Sequence, residues 1–255
     1  MLLEYNPRAC LPSAEDLPDS DDTPVDNQLQ HLIPVLLEII LDCIWSERMD
    51  WLFGVDMGIY YDPEEPAIVP DGFLSIGVPR TLDPSLRPSY VLWDERQVPT
   101  LVLEVVSRTR GGEYSRKKEL YAQLGILYYA IYNDRRKKRP KLEVYQLEDG
   151  EYQLLSGEPV WLPELQLGIG RAEGTFQGTT REWLYWYDRE GVRYPTPDER
   201  TERAEERAEI AEAERDRQQE RADIAEAERD RFQSELQELR DRLRQSNIDP
   251  DSLLS

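Results

Sequence analysis

Leu101-Val102-Leu103-Glu104-Val105-Val106 is an almost wholly apolar run with a single carboxylate inside it. With Thr100 before it and the Gly111-Gly112 break after it, the run has the length and composition of a strand buried on both faces of a sheet. An unpaired carboxylate buried in such a strand is costly, so Glu104 must either reach a cleft or meet a cation. The segment therefore predicts a central sheet and a positive group close to it.

Working outward, Trp51 to Tyr61 and Ala67 to Ile76 each read as a strand, rich in aromatic and branched residues and bounded by Pro and Gly. The second carries Pro70-Asp71. Residues 77–98 read as a Pro- and Arg-containing loop. After Gly111-Gly112, Glu113 to Leu124 has helical spacing with Tyr114, Leu120, Tyr121 and Leu124 on one side, and Gly125 suits its C-cap. Ile126 to Tyr132 is a further strand. Lys141 to Leu147 and Glu151 to Leu155 form a hairpin across Glu148-Asp149-Gly150. Upstream, Leu29, Leu32, Ile33, Leu36, Leu37, Ile40, Leu41 and Ile44 recur three and four apart, the core face of a helix from Gln28 to about Ser46, which Pro34 either kinks or starts. The order predicts a mixed α/β (α+β) domain over residues 28–195, a central sheet with flanking helices, preceded by an extended arm at 1–27. The cluster Trp183-Leu184-Tyr185-Trp186-Tyr187 reads as a closing strand or helix packed on that domain, a base-stacking surface being the alternative.

Composition narrows the chemistry. The chain has 255 residues, 39% of them hydrophobic, enough for one well-buried domain and something more. Its net charge of -21, from 52 acidic and 31 basic residues, excludes a surface built throughout to hold nucleic acid. Any such contact needs a local basic patch, and Arg135-Arg136-Lys137-Lys138-Arg139 is the dense one; a solvated hairpin loop is its other reading. Cys10 and Cys43 lack the spacing of a zinc site or a disulfide scaffold, and His31 is the sole histidine, which leaves Ser-His-Asp and HExxH chemistry without parts. The longest apolar stretch, Ile33 to Ile44, is interrupted by Pro34, Glu38 and Asp42 and is far short of a membrane span, and the N-terminus lacks the pattern of a secretory signal. The expectation is a cytoplasmic protein with no membrane partner.

From about residue 196 the composition turns to Glu, Arg and Ala. Arg207 to Arg217 recurs, nearly unchanged, as Arg221 to Arg231, an offset of fourteen residues or two heptads. With Leu236 and Leu243 at heptad position a, Phe232 and Leu239 fall at d together with Ala204, Ala211 and Ala225. Ile210 and Ile224 miss that seam. Residues 196–246 thus read as a long charged helix, either self-associating as a coiled coil over 200–245, which would make a homodimer, or solitary and held by i,i+4 ion pairs. Residues 247–255 read as a flexible tail.

If the carboxylates act, the chemistry they suit is phosphodiester hydrolysis. A hard cation such as Mg²⁺ or Mn²⁺ takes oxygen ligands, and Asp71, Glu104 and the Val105 carbonyl are candidates. Lys117, one helical turn before Tyr121, can reach the strand end to position water and bear on phosphate charge; its bland reading is a solvated helix lysine beside Lys118. Asp56 is a supplementary acid or a turn residue.

The motifs Pro70-Asp71, Glu104-Val105-Val106-Ser107, Lys117-Lys118-Glu119-Leu120-Tyr121 and Gly125-Ile126-Leu127-Tyr128-Tyr129 resemble, in type and order, the bacterial Uma-type restriction-endonuclease family, also catalogued as a domain of unknown function, within the PD-(D/E)xK nuclease superfamily. The resemblance extends more loosely over residues 28–190. It implies a restriction-endonuclease-like core and a DNA endonuclease needing Mg²⁺ or Mn²⁺, with Asp71, Glu104 and Lys117 as catalytic residues. The superfamily lysine two residues after the glutamate is Val106 here, so Lys117 stands as its migrated substitute. Glu38 is a possible extra ligand on the early helix or an outward-facing charge. A nuclease-like fold that no longer cleaves, serving as a binding or assembly module through its coiled coil, is the alternative.

Overall fold

Asn27 opens the first helix of the computed structural model, which describes residues 11–14, 16–17, 27–81, 86–106, 112–137 and 140–246. Most of the expected N-terminal arm, Ser107 of the motif, Lys138, Arg139 and the tail from 247 lie outside the described residues. The Asn27 side chain accepts from Leu29 N–H at 3.0 Å while Asn27 N–H donates to Gln30 Oε1 at 3.2 Å, a reciprocal cap that starts α1 (Gln28–Ile44) well before Pro34. The helix runs through that proline, burying Leu32, Ile33, Leu36, Leu37, Ile40 and Leu41.

There follow β1 (Trp51–Val55), β2 (Ile59–Tyr60), β3 (Gly72–Ile76), β4 (Tyr90–Val91), a single helical turn α2 (Leu92–Glu95), β5 (Leu101–Val105), α3 (Arg116–Gln123), β6 (Tyr128–Tyr132), β7 (Leu142–Glu148), β8 (Glu151–Leu154), β9 (Val160–Leu162), β10 (Leu167–Phe176) and β11 (Thr179–Tyr187). The single strand expected over 51–61 is two, because Asp56 takes a left-handed conformation, φ 48°, and turns the chain out of β1. The strand expected over 67–76 begins only at Gly72; Ile68 makes one isolated bridge to Ile59. The expected loop 77–98 contains β4 and α2. Between β7 and β8 the chain turns at Asp149 (φ 48°) and Gly150 (φ 83°), the left-handed pair a two-residue hairpin demands.

Six strands form one sheet in the order β1-β3-β5-β6-β7-β8, in which β5 and β6 are parallel and the other neighbours antiparallel. β11-β10-β9 make a second, antiparallel sheet, and β2 pairs with β4 in a parallel two-stranded one. Side chains alternate across a strand. In β5, Leu101, Leu103 and Val105 enter one core with α1 and β9 to β11, whereas Val102 and Val106 enter another with Phe73, Tyr90, Tyr121, Tyr129 and Ile131. The aromatic cluster closes the first: Trp183 to Tyr187 lie in β11, and Trp186 Nε1 donates to the Leu37 carbonyl at 3.0 Å.

The β1–β3 contact leaves no room for a methyl. A Cβ on Gly54 would lie 2.3 Å from the ring of Phe73, its cross-strand partner, which is fully buried. Gly54→Ala is expected to destabilise the fold by about 1–3 kcal/mol, read as a lower urea midpoint at unchanged m-value.

The chain divides into two units, residues 1–197 and 198–255. The second is dominated by α4 (Pro197–Gln245), which starts on a proline with Asp198 and Glu199 in its first turn and ends with Arg242 and Arg244 in its last, each favourable to the helix dipole. Ion pairs such as Arg231 to Glu235 at 3.0 Å run along it, and Phe232, Leu236 and Leu239 are more than half exposed. No helix among the described residues is long and apolar enough to cross a membrane.

Candidate active site

Alternation and register bring the two acids together. Gly72 pairs with Leu103 in the antiparallel β3–β5 ladder, and one residue further along that register Asp71 stands beside Glu104. Both lie on the face that carries Phe73 and Val102, against which α3 packs. Glu104 is 2% exposed and Asp71 8%. The helix contributes Lys117 and Tyr121 from successive turns of one face.

Three donors converge on Glu104. Lys117 Nζ lies 2.9 and 2.8 Å from Oε1 and Oε2, and the Tyr121 hydroxyl donates to Oε1 at 2.7 Å. A carboxylate accepts such a set; a protonated carboxyl does not, so the pair is ionised. Burial raises the Glu104 pKa, against the attraction of Lys117 and the hydrogen bonds from Lys117 and Tyr121. Burial alone would lower the Lys117 ammonium, but the charge of Glu104 and its hydrogen bonds outweigh this and hold it above its ordinary value. The helix itself is pinned nearby, with Lys118 Nζ 3.5 Å from the centre of the Tyr145 ring.

Asp71 is differently placed. It accepts from Val105 N–H at 2.5 Å through Oδ2 and from Gln30 Nε2 at 3.2 Å through Oδ1. Burial first, then the negative charge of Glu104, push its pKa up to about 8, against the Val105 hydrogen bond and the charge of Lys117. Asp71 therefore holds a proton for much of the time at neutral pH.

The other expected residues fall into place unevenly. Val105 enters the site through its amide rather than through the carbonyl read from the sequence as a ligand. Asp56 is near enough to raise Asp71, yet its carboxylate faces His31 Nδ1 at 3.2 Å. Glu38 sits in the field of Arg80 and Asp42 on α1, and none of its contacts reaches the two acids. Arg136 is ion-paired with Glu143 and its guanidinium lies 4.7 Å from the Tyr114 ring centre, whereas Arg135 and Lys137 are exposed. Val106, at the superfamily lysine's position, is buried in the Tyr121 core.

Two residues at the site escaped the reading of the sequence. Gln30 touches Asp71 from α1; the only local signal was Asn27-x-x-Gln30, which announces a helix cap and says nothing of a contact 41 residues away. Glu113 is 5% exposed, its carbonyl accepts from the Tyr129 hydroxyl at 2.8 Å, and its charge bears on both Glu104 and Lys117. Its place just before α3 gave no sign of burial.

The donor set fits a hard divalent ion better than a soft one: two carboxylates and backbone oxygen, with no thiolate or imidazole in contact. The raised Asp71 supports that fit, since two acids buried side by side repel and a cation relieves both the repulsion and the desolvation. Among the described residues there is no group of three or more His, Cys, Asp or Glu side chains suited to hold an ion. Two carboxylates with waters completing the shell is the ordinary arrangement for Mg²⁺.

Comparison with known proteins bears on the same region. The Uma2 family, described as "Putative restriction endonuclease", matches residues 23–175. No curated protein matches the chain. A solved structure described as a "putative nuclease belonging to DUF820" from Anabaena variabilis ATCC 29413 is similar at 12% identity and a TM-score of 0.39, over 54% of this chain and 73% of that one.

Proposed function

Because the chain belongs to the Uma2 family of restriction-endonuclease-like proteins, we propose that it is a divalent-metal-dependent DNA endonuclease in which Asp71, Glu104 and Lys117 act together. The observation that carries this reading is the Lys117 ammonium set against both oxygens of Glu104, on the sheet face where Asp71 also lies. Mg²⁺ or Mn²⁺, held by Asp71, Glu104 and the Val105 carbonyl, would polarise a phosphoryl oxygen and acidify a bound water. Tyr121 fixes the orientation of Glu104 through its hydroxyl. Lys117 supplies a charge for the phosphate oxygens and a donor to the attacking water. Arg135, Lys137 and the rest of the run to Arg139 hold the DNA backbone, giving an otherwise acidic protein its local basic contact. Association of two chains through residues 200–245 provides two such sites, one for each strand.

Supercoiled plasmid incubated with the purified chain and Mg²⁺ or Mn²⁺ tests the reading. Conversion to nicked circles is expected, and Lys117→Ala is expected to slow it by about 100- to 1000-fold while Mn²⁺ still binds. Absence of nicking by the wild type across varied DNA and both ions overturns it. One observation favours a catalytically silent binding module instead: the oxygens of Glu104 are already supplied with donors by Lys117 and Tyr121. Calorimetric titration with Mn²⁺ separates the two, because the silent module has no site for Asp71→Ala to remove.

A further inference from the structure

We infer that α4 pairs with α4 of a second copy of this chain as a parallel, in-register coiled coil. The inference deepens the self-association proposed above and does not depend on cleavage. Its first ground is where the large apolar residues lie. Phe232, Leu236, Leu239 and Leu243 occupy consecutive d and a positions at the C-terminal end of the helix, the first three more than half exposed. A parallel pair in register stacks each of these layers on itself. An antiparallel pair that overlaps along the whole helix sets them against the alanine-rich start, Ala204 to Ala211, and one that overlaps only at the C-terminal ends leaves the rest of both helices unpaired.

The second ground is charge. In a parallel dimer, position g of one helix faces position e of the next heptad on the other. Along α4 this sets Arg200 opposite Glu205, Arg207 opposite Glu212, Arg221 opposite Glu226, and Glu235 opposite Arg240. Each of these is attractive and each occurs twice by symmetry. The two remaining contacts set Glu214 opposite Gln219 and Glu228 opposite Gln233, so no like charges meet.

These two glutamates have another use. The seam has charged residues at Arg215 and Arg229, both at a, and position a lies beside the g residue that precedes it on the partner. Those residues are Glu214 and Glu228. The two e positions are uncharged where the facing glutamate is needed by an arginine in the seam. In the single helix Arg229 satisfies itself locally, on Glu226 and Asp230, both at 2.9 Å, and these surface contacts can exchange for interhelical ones at little cost.

A charge swap in the full-length chain tests this, sedimented without metal or DNA so that the result is independent of nuclease activity. One variant carries Glu212→Arg and Glu226→Arg, the other Arg207→Glu and Arg221→Glu. All four positions are exposed on α4. The wild type is expected to sediment as a dimer. Each variant alone meets four like-charge pairs, and its dimer dissociation constant is expected to rise on the order of 100-fold. An equimolar mixture restores every attractive pair and is expected to return to the wild-type value as a heterodimer. A monomeric wild type, variants that dimerise as tightly as wild type, or a mixture that shows no recovery overturns the inference, provided circular dichroism shows the helix intact.

Discussion

Replacement of Glu104 by alanine is expected to abolish nicking and, separately, to lower the stability of the metal-free protein by about 3–5 kcal/mol. The second effect follows from what the side chain leaves behind. Lys117 loses the carboxylate that held both its hydrogen bonds at 2.8 and 2.9 Å, and the fully buried Tyr121 hydroxyl loses its acceptor. An ammonium three-quarters buried without its partner costs more than the pair contributed when intact. Adding Lys117→Met to Glu104→Ala removes the stranded charge and is expected to return about half of the lost stability, with activity still absent. Urea melts of the single and double variants measure the stability, and plasmid nicking the activity. A single variant as stable as wild type would show that water reaches Lys117 freely.

The acid next to it is expected to behave in the opposite sense. Asp71 has a folded-state pKa of about 8, well above the ordinary carboxylate value of 3.8 that it takes up on unfolding. Between these two values the folded protein binds the proton and the unfolded chain does not, so the contribution of Asp71 to stability is greatest at acid pH and is lost as pH rises toward 8. Asp71→Asn removes the titration. The variant and the wild type are expected to be similar near pH 4, and the variant more stable by about 2 kcal/mol at pH 8, after discounting for solvent that relaxes the site. Paired urea melts from pH 4 to 9 without divalent ions check the slope. Parallel curves for the two proteins would mean that Asp71 is ionised throughout.

How much of this was legible in the sequence depends on the range of the interactions. β5 was readable to within a residue at each end because an unbroken apolar run signals burial on both faces, and the β7–β8 turn because Asp149-Gly150 specifies its own geometry. Asp56 was not, since one left-handed residue inside an aromatic, glycine-bearing stretch leaves the β-like composition unchanged. β9 and β10 also escaped: Gly168, Gly170 and Gly174 look like loop, and what makes Leu167–Phe176 a strand is its pairing with β9 and β11. At the site, Asp71, Glu104 and Lys117 could be named from residue type and spacing. Their partners could not, because Gln30 on Asp71 and the buried Glu113 depend on how α1 and the start of α3 pack. The vacancy at Val106 raised the question that only tertiary structure answers, namely which lysine reaches Glu104 and from which element.

Exposure is graded across the three residues in a way that orients the site toward its surroundings. Glu104 and Asp71 lie at 2% and 8%, while a quarter of the Lys117 side chain is open to water. Whatever arrives from solution meets the ammonium before either carboxylate. On a protein of net charge -21 that single cation cannot draw a polyanion from afar, since its field fades within about 8–10 Å at physiological ionic strength. Its influence is confined to the last step of approach, where it selects which phosphate along a bound strand comes to rest over the acids.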